Sequence, residues 1–289
     1  MFDHIAFPTP YQTLALSNSV QLTIKRLDLI HPQISGNKFF KLKYNLLAAQ
    51  QQGLSQVLTF GGAFSNHIAA TAYAAQRFGF QSIGIIRGEE LATQNLNPTL
   101  QTAQDFGMQL YFVSRAEYRL RHDLEYLQQL QQQYSQAFII PEGGTNALAL
   151  QGTQEILSED DRKNYDVICC AVGTGGTIAG LIESSSNQQQ IVGFSALKGN
   201  FLQHDIQQWT TKTNWTLTDA YCCGGYAKTT DELLQFMQQF EQQYAIPLEQ
   251  VYTAKMMMGL FDLIQQNHFP AHTRILAIHT GGLQGRFKT

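Results

Sequence analysis

The sequence predicts an α/β fold in which helices cover mainly parallel sheets. Apolar runs typical of short buried strands alternate with amphipathic segments of helical spacing along almost the whole chain. Hydrophobic residues make up 44% of the 289 positions and charged residues only 14%, which suits a sizeable core and argues against disorder. Several apolar runs end in glycine pairs, as strands entering tight turns do. A chain of this length is expected to form one large domain or two smaller ones.

The first half of the chain alternates predicted strands with predicted helices. The longest helix, 117–134, carries one apolar stripe formed by Leu120, Leu124, Leu127 and Leu130. Such a stripe indicates a helix that packs on a sheet. The predicted strands are 57–60, 82–88, 109–114 and 137–144, the last including a turn, and the other predicted helices are 66–80 and 97–107.

The second half repeats this alternation. A buried apolar run over 165–176 predicts a strand that ends in a glycine loop. No linker rich in proline or serine cuts the chain, so any two domains are expected to be intertwined. The other predicted strands are 191–197 and 274–282, and the predicted helices are 147–157, 177–185, 230–244 and 248–267.

Charge and composition exclude several kinds of partner. The formal net charge is -3 and there is no long basic run, which argues against nucleic-acid binding. No stretch approaches the roughly 18 apolar residues of a membrane span, and "MFDHIAFPTP" lacks the pattern of a secretory signal, so a cytoplasmic protein is expected. The adjacent cysteine pairs Cys169–Cys170 and Cys222–Cys223 lack CxxC spacing, so reduced thiols and no metal site are predicted.

The stretch "VGTGGTIAGL", 172–181, has the composition of an anion-binding loop. A buried strand runs into Gly173, Thr174, Gly175, Gly176 and Thr177, and a helix follows. Backbone N–H groups at a helix N-terminus favour a phosphate, glycines let it approach closely, and the threonine hydroxyls can add donors. The loop is neither the GxGxxG dinucleotide fingerprint, because Gly is absent at position 178, nor a P-loop, because no GK[ST] follows.

Two other predicted strands end in polar, glycine-containing turns. "TFGGAFSNHIAAT", 59–71, brings Ser65 and Asn66 to the start of a helix, where they can act as N-caps or hold a carboxylate. "HTGG", 279–282, follows the last strand and includes Thr280. Because ligands of parallel sheets bind beyond the carboxyl ends of the strands, these turns and the glycine loop are expected to act together.

Three lysines crowd into "SGNKFFKLKY", 35–44. Lys41 and Lys43 are predicted to be solvated residues at the start of a helix. Lys38 follows the Gly36–Asn37 pair, a tight backbone entry, and is a candidate for covalent chemistry through its amine.

These motifs occur in the order found in a known family. "SGNKFFKLKY", "GGAFSNH", "PEGGTNALAL", "VGTGGTIAGL", "VYTAKMMMGL" and "HTGG" resemble pyridoxal-phosphate enzymes of the tryptophan-synthase-β (type II) fold. The likeness is strongest to the branch with 1-aminocyclopropane-1-carboxylate deaminase and D-cysteine desulfhydrase. It implies two three-layer α/β domains, a larger one of 1–45 and 141–289 and a smaller one of 46–140, with the cofactor in the cleft between them.

The resemblance also implies a role for each matching residue. Lys38 corresponds to the lysine that carries pyridoxal 5'-phosphate, and Asn66 to the asparagine that contacts its phenolic oxygen. Thr280 corresponds to the residue facing the pyridine nitrogen. Ser65 and Tyr252 correspond to catalytic residues beside the substrate. The remaining implied contacts are the phosphate loop Gly173, Thr174, Gly175, Gly176 and Thr177, and a substrate site of Ser65, Asn66, His67 and Tyr252.

Two activities of this family can be compared. The deaminase pattern has Glu after the tyrosine and Leu at the position of Thr280, whereas this chain has Thr253 and Thr280. The resemblance therefore implies β-elimination from D-cysteine to pyruvate, sulfide and ammonia ahead of deamination of the cyclopropane amino acid. A non-catalytic vitamin-B6-binding relative is a third possibility. A homodimer acting on a small amino acid is implied. The chain departs from the family pattern at Leu27, Phe40, Lys43 and Ala254.

Overall fold

A computed structural model describes residues 1–16, 19–199 and 201–286 and divides the chain into two compact units. The chain passes from one unit to the other several times, as expected for intertwined domains. The first unit consists of Met1–Ala6, His31–Ile34 and Lys38–Gly152, and the second of Phe7–Ile30, Ser35–Asn37 and Thr153–Thr289.

Strands and helices alternate through both units. The strands are β1 (Tyr11–Leu14), β2 (Gln21–Lys25), β3 (Gln56–Gly61), β4 (Gln81–Arg87), β5 (Met108–Val113), β6 (Ala137–Ile140), β7 (Val167–Val172), β8 (Gln190–Ser195), β9 (Trp215–Thr218) and β10 (Arg274–Ile278). The α-helices are α1 (Asn37–Gln51), α2 (Asn66–Arg77), α3 (Pro98–Asp105), α4 (Arg115–Arg119), α5 (Leu124–Gln133), α6 (Ala147–Gln154), α7 (Glu159–Asn164), α8 (Gly176–Ser184), α9 (Phe201–Gln207), α10 (Asp231–Tyr244) and α11 (Thr253–Gln265). Short 3-10 turns lie at Phe2–His4, Leu27–Leu29, Glu89–Thr93, Leu120–His122, Glu142–Gly144 and Leu283–Gly285.

The first unit is built on a four-stranded parallel sheet of order β5-β4-β3-β6. One face packs against α4 and α5 through a cluster that includes Leu58, Tyr118 and Leu130. The other packs against α2 and α3 through a cluster that includes Ile68 and Leu100. Helices on both faces of a sheet make three layers, so the predicted layer architecture of this unit is confirmed.

The second unit is built on a six-stranded sheet of order β1-β2-β10-β7-β8-β9. Among the described strands of this sheet, the β1–β2 pair is antiparallel and the other pairs are parallel. The central strand β7 is buried along its whole length, including the free thiols of Cys169 and Cys170. Helices α8 and α11 both pack on β7 and β8. The predicted mainly parallel α/β class is confirmed.

The two units divide the chain differently from the predicted domains 1–45 plus 141–289 and 46–140. Residues 38–45 and 141–152 belong to the first unit, with the four-stranded sheet. Helix α1 continues past residue 45 to Gln51, and its Phe39 ring lies 5.1 Å from that of the fully buried Phe2. Phe2 in turn lies 4.8 Å from the ring of Phe78, at the end of α2. This aromatic packing ties α1 to the first unit.

The predicted helix 117–134 is wrong in its continuity. Asp123 has an extended backbone and its carboxylate accepts from Tyr126 N, so it caps a new helix, α5. The predicted apolar stripe is also wrong at two of its four positions, because Leu120 is 47% exposed and Leu124 75% exposed. The N-cap residue Asp123 therefore starts a new helix, although it lies within a segment of regular apolar spacing.

Several elements departed from the sequence prediction, among them the short helices α7 and α9, which were not predicted. Strands β1, β2 and β9 were not predicted; they lie at or near the edges of the six-stranded sheet, where apolar runs are short. The predicted helix 248–267 begins only at Thr253, because 248–252 form an irregular segment before α11. Among the described residues, no helix is long and apolar enough to cross a membrane.

Candidate active site

The predicted phosphate loop lies directly after β7 in the second unit. Gly175 is the N-cap of α8 with φ 82°, a left-handed conformation suited to glycine, and the helix begins at Gly176. Thr174 is exposed, whereas Thr177 is buried in the first turn of α8. The loop therefore lies at the start of a nine-residue helix, where backbone N–H groups and the helix dipole attract an anion.

Tyr252 lies against this loop. A Cβ added to Gly173 would lie 2.9 Å from Cε1 of the Tyr252 ring and 3.3 Å from its hydroxyl oxygen, so the ring approaches the loop backbone closely. The rings of Tyr226 and Tyr252 form a T-shaped pair, with centroids 6.2 Å apart. The second unit therefore brings together two parts of the predicted site, the phosphate loop and the active-site tyrosine.

The buried carboxylate of Glu249 fixes the backbone that carries Tyr252. Its oxygens accept from the N–H groups of Val251 at 2.7 Å, Tyr252 at 2.7 Å and Thr253 at 2.6 Å. Burial raises the pKa of Glu249, while these bonds oppose that rise. The Thr253 hydroxyl accepts from Glu249 N at 2.9 Å, which closes the cap of α11. Sequence reasoning missed Glu249; the signal was an acidic residue three positions before Tyr252.

Thr280 lies just beyond β10 and is joined to the residues that precede Lys38. Its carbonyl oxygen accepts from Asn37 N at 3.2 Å. Gly36 has φ 67°, and a Cβ there would lie 1.8 Å from the same oxygen. Only glycine allows that approach in that conformation. Asn37 also donates from Nδ2 to the hydroxyl oxygen of Thr177, at 2.8 Å. The Gly36–Asn37 pair thus links the turn after β10 to the phosphate loop, immediately before Lys38.

His279, beside Thr280, is buried in a hydrogen-bonded cluster. Its Nε2–H donates to the carbonyl oxygen of Pro247 at 2.8 Å, and Nδ1 lies 3.3 Å from both Gly281 N and Asp28 Oδ1. Arg26 holds the Asp28 carboxylate by bonds of 2.9 Å and 2.7 Å. Burial lowers the pKa of His279, with Asp28 opposing the effect. This cluster, which the sequence did not single out, fixes the turn that carries Thr280.

The candidate residues of the first unit lie at the starts of α1 and α2. Lys38 is half-buried in the first turn of α1. Ser65 is the N-cap of α2, and its hydroxyl accepts from Ile68 N, as the capping interpretation predicted. Asn66 is the first residue of α2, and its buried Oδ1 has no hydrogen-bond partner among the described residues. His67 is 2% exposed and its Nε2 lies 2.8 Å from the hydroxyl oxygen of Thr59.

The prediction that Lys41 and Lys43 are solvated is wrong. Lys41 is 3% exposed and its amine donates to the carbonyl oxygen of Gly143 and the hydroxyl of Thr145, each at 3.0 Å. Burial, with the charge of Lys38 adding to it, lowers the pKa of Lys41 well below its usual range. The Lys43 side chain is 12% exposed and pairs with Asp3 at 2.9 Å. Periodicity could not show that α1 is covered on these faces.

The positions that depart from the family pattern have structural explanations. Leu27 is fully buried and Ala254 is fully buried in α11. Phe40 is 8% exposed and its ring lies 5.6 Å from that of Phe39. Phe40 therefore extends the aromatic packing around α1, and Lys43 joins α1 to the N-terminal segment.

The residues present fit pyridoxal phosphate by their hydrogen-bonding and nucleophilic chemistry. A phosphate suits the N-terminus of α8, and the buried Oδ1 of Asn66 has unused hydrogen-bonding capacity. A half-buried amine at Lys38 suits a covalent bond to an aldehyde.

Known proteins resemble the chain over almost its full length. A Thermotoga maritima protein, provisionally named a 1-aminocyclopropane-1-carboxylate deaminase, is 31% identical over 97% of this chain and 95% of its own. The Arabidopsis thaliana mitochondrial bifunctional D-cysteine desulfhydrase/1-aminocyclopropane-1-carboxylate deaminase is 30% identical over 97% of this chain and 77% of its own. A crystal structure described as an ACC deaminase homologue superposes with a TM-score of 0.84 at 29% identity, covering 97% of this chain and 91% of that one.

The family assignment follows from a match over most of the chain. The sequence profile described as pyridoxal-phosphate dependent enzyme matches residues 3–281. Together with the superposition, this match confirms the tryptophan-synthase-β-like fold and the cofactor that the resemblance implied. The chain belongs to the pyridoxal-phosphate dependent enzyme family.

Proposed function

We propose that this enzyme catalyses β-elimination from a small D-amino acid, with D-cysteine as the substrate. The overall reaction takes D-cysteine and water to pyruvate, sulfide and ammonia. The Cα–H and Cβ–S bonds break, sulfide leaves, and water replaces the amino nitrogen. Similarity to the Arabidopsis bifunctional enzyme and to a Klebsiella pneumoniae D-cysteine desulfhydrase, 28% identical over 98% of this chain, supports this substrate.

One observation carries the choice of elimination over ring opening. The residue after Tyr252 is Thr253, which is fully buried, and its hydroxyl and N–H are both engaged with Glu249. Position 253 therefore offers no carboxylate beside the tyrosine, where the deaminase pattern carries one. A β-thiolate leaves without needing such a group, because sulfide is itself a good leaving group.

The cofactor contacts are proposed residue by residue. Bound pyridoxal phosphate supplies an electron sink for the carbon that loses its proton. We assign the phosphate to Gly173, Thr174, Gly175, Gly176 and Thr177, the covalent bond to Lys38, the phenolic oxygen to Asn66 and the pyridine nitrogen to Thr280. Asn37 donates hydrogen bonds to Thr177 at 2.8 Å and to Thr280 at 3.2 Å. These bonds fix the backbone next to Lys38, which supports the assignments.

The proton transfers and the substrate contacts are assigned to five residues. The Lys38 amine moves the proton at Cα, and the Ser65 and Tyr252 hydroxyls assist proton transfer beside it. N–H groups at the start of α2 bind the carboxylate, with Ser65, Asn66 and His67 around it. The Tyr252 ring is held beside Gly173, so its hydroxyl reaches the proposed phosphate end of the site.

The test is a substrate panel with purified enzyme and pyridoxal phosphate. Release of 2-oxo acid, identified as pyruvate or 2-oxobutanoate, should be measured from D-cysteine, L-cysteine, D-serine, β-chloro-D-alanine and 1-aminocyclopropane-1-carboxylate. We expect pyruvate from D-cysteine and β-chloro-D-alanine, with equimolar sulfide from the former. Lys38→Ala should remove both the near-visible absorption of the bound cofactor and the activity. Absence of pyruvate from every compound would reject elimination.

Deamination of the cyclopropane amino acid is the second candidate. It is favoured by the names of the Thermotoga and Arabidopsis relatives. Its product from that substrate would be 2-oxobutanoate rather than pyruvate, so the same panel separates the two activities. Bound cofactor with no turnover of any compound would instead indicate a non-catalytic role.

A homodimer in the cytoplasm is proposed for the assembly and compartment. The resemblance supports the dimer, and the four free thiols fit a reducing compartment. Light scattering should give twice the 32.5 kDa chain mass, and a value equal to one chain would exclude the dimer.

A further inference from the structure

His67 has a defined tautomer, because its partner can donate in only one direction. The Thr59 hydroxyl donates its single proton to the carbonyl oxygen of Ile140, at 2.8 Å. The hydroxyl oxygen of Thr59 also lies 2.8 Å from Nε2 of His67. Since that hydroxyl proton is already used, Nε2–H of His67 must be the donor in this second contact. The neutral ring therefore carries its proton on Nε2 and a lone pair on Nδ1.

The lone pair on Nδ1 is buried and has no hydrogen-bond partner among the described residues. Burial, followed by the charges of Lys38 and Lys41, lowers the pKa of His67 well below its usual range, so the ring stays neutral. Buried polar atoms in folded proteins nearly always have partners, and an exception calls for an explanation. The Nδ1 lone pair is therefore available to a donor that arrives during the reaction.

The His67 ring and the side chain of Lys41, which belongs to α1, lie beside the same residue, Gly144. A Cβ added to Gly144 would lie 3.4 Å from Nδ1 of His67 and 3.6 Å from Cβ of Lys41, so both side chains border the same glycine. Lys38 precedes Lys41 by three positions and shares its helix face. The amine of Lys41 is directed to Gly143 and Thr145. The amine whose bonding changes in the proposed reaction is that of Lys38.

We propose that His67 is a positioning residue whose Nδ1, kept unprotonated by Thr59, accepts a hydrogen bond from the Lys38 ammonium whenever that amine is not bound to the cofactor. This inference rests on the proposed role of Lys38. The bond holds the released amine near its reactive position and stabilises its protonated form, so that the proton taken from substrate stays on Lys38 until it is needed.

The test uses the full chain freed of cofactor and then mixed with pyridoxal phosphate at a series of pH values. The unprotonated Lys38 amine adds to the aldehyde carbon and one water leaves, which near-visible absorbance records. The rate therefore reports the pKa of Lys38. Loss of a hydrogen bond from a charged donor should lower that pKa by about one unit.

Four variants separate the acceptor from the packing. The amide of His67→Gln reaches the position of Nε2 but not that of Nδ1, and we expect it to lower the Lys38 pKa. His67→Asn places an oxygen near Nδ1 and should keep the pKa close to that of wild type. Thr59→Val leaves His67 intact but removes the bond that fixes its tautomer, so it should behave as His67→Gln. Thr59→Ser keeps the hydroxyl and should restore the wild-type value.

Thr71→Val is the matched control for loss of a buried unpartnered polar atom. Thr71 lies on α2, is fully buried, and its Oγ1 also has no partner among the described residues. Its replacement should leave the Lys38 pKa unchanged. An unshifted pKa in both His67→Gln and Thr59→Val, with normal cofactor binding, would overturn the role of His67 alone. Normal covalent binding by Lys38→Ala would overturn the assignment of Lys38, and this inference with it.

Discussion

The carboxyl edges of the two sheets hold their candidate residues in opposite ways. In the second unit, the turns after β7 and β10 bond to one another through Asn37, and buried carboxylates at Asp28 and Glu249 brace the neighbouring backbone. In the first unit, the start of α2 leaves two buried acceptors, on Asn66 and His67, without partners among the described residues.

This difference separates two requirements of a cofactor enzyme. A phosphate and a ring nitrogen need a fixed frame, and the second unit has hydrogen bonds that build one in the protein alone. Groups that change partners during a reaction need unused capacity, and each buried unsatisfied acceptor costs roughly 1–3 kcal/mol of stability. The first unit carries that cost, so its functional side chains are expected to lower stability. In the second unit, the hydrogen bonds that position the candidate site are expected to raise stability.

Gly36→Ala should disrupt the contact between Gly36 and Thr280 in the second unit and give the largest loss of stability. The added Cβ would lie 1.8 Å from the Thr280 oxygen in a left-handed backbone. Strain of about 1–2 kcal/mol and overlap of about 1–3 kcal/mol together predict a loss of about 2–5 kcal/mol in the free energy of unfolding. Cofactor affinity should fall with it. Thermal melting and absorbance titration measure the two quantities.

Gly53→Ala is the matched control for that substitution. Gly53 has φ 68° but nothing lies within 4 Å of an added Cβ, so only the strain of about 1–2 kcal/mol is expected. Equal destabilisation by the two variants would mean that the contact of Gly36 with Thr280 contributes nothing.

Glu249→Gln tests whether the second unit also positions Tyr252. Loss of a charged acceptor for three backbone N–H groups should lower the free energy of unfolding by about 2 kcal/mol. Turnover should fall while cofactor affinity changes little, because Glu249 braces the tyrosine and not the phosphate loop. The control is Glu159→Gln, an exposed partner of Lys163, which should change stability by less than about 0.5 kcal/mol. A Glu249→Gln enzyme with full turnover would contradict the bracing role.

Acidification should destabilise both units through neutral buried histidines. Burial lowers the pKa of His67 and of His279 in the folded protein, while in the unfolded chain each binds a proton near pH 6.5. Below that pH the unfolded state holds more protons, so stability is full above about pH 6.5 and decreases as pH falls, by up to about 1.4 kcal/mol per unit for each histidine. Urea unfolding at pH 5, 6 and 7 measures the slope, and His279→Asn should reduce it. A flat profile would exclude this origin.

Thr71→Val should give the smallest change in stability and tests whether unpartnered polar atoms in the first unit are destabilising. Its buried hydroxyl is unpartnered among the described residues, so an isosteric methyl should raise stability by about 1 kcal/mol. Unlike Asn66 and His67, it has no proposed function, and activity should not change. Destabilisation by Thr71→Val would show that the hydroxyl does have a partner, and would weaken the same conclusion for the neighbouring acceptors.

The sequence predicted those features that depend on local pattern. Alternating strands and helices, glycines after β7 and β10, and Ser65 as an N-cap all follow from short-range rules, and the structure has them. The order of six motifs added the family and cofactor. None of this required knowing which elements touch.

Features that depend on long-range packing escaped prediction. Lys41 looked like a surface residue until Gly143 and Thr145 were found to enclose its amine. Asp28 looked like an ordinary acidic residue, because one of its partners, His279, lies more than 200 positions away in the sequence. The stripe of 117–134 failed because a single cap at Asp123 outweighed an apolar period.

The adjacent cysteines of β7 affect how the proposed reaction can be followed. Burial raises the pKa of both Cys169 and Cys170, and it also raises that of the half-buried Cys223. Thiols that stay protonated at neutral pH react slowly with alkylating and disulfide reagents. In the native enzyme such reagents should therefore detect substrate thiol and released sulfide over a low protein background, and a sudden rise in that background would signal unfolding.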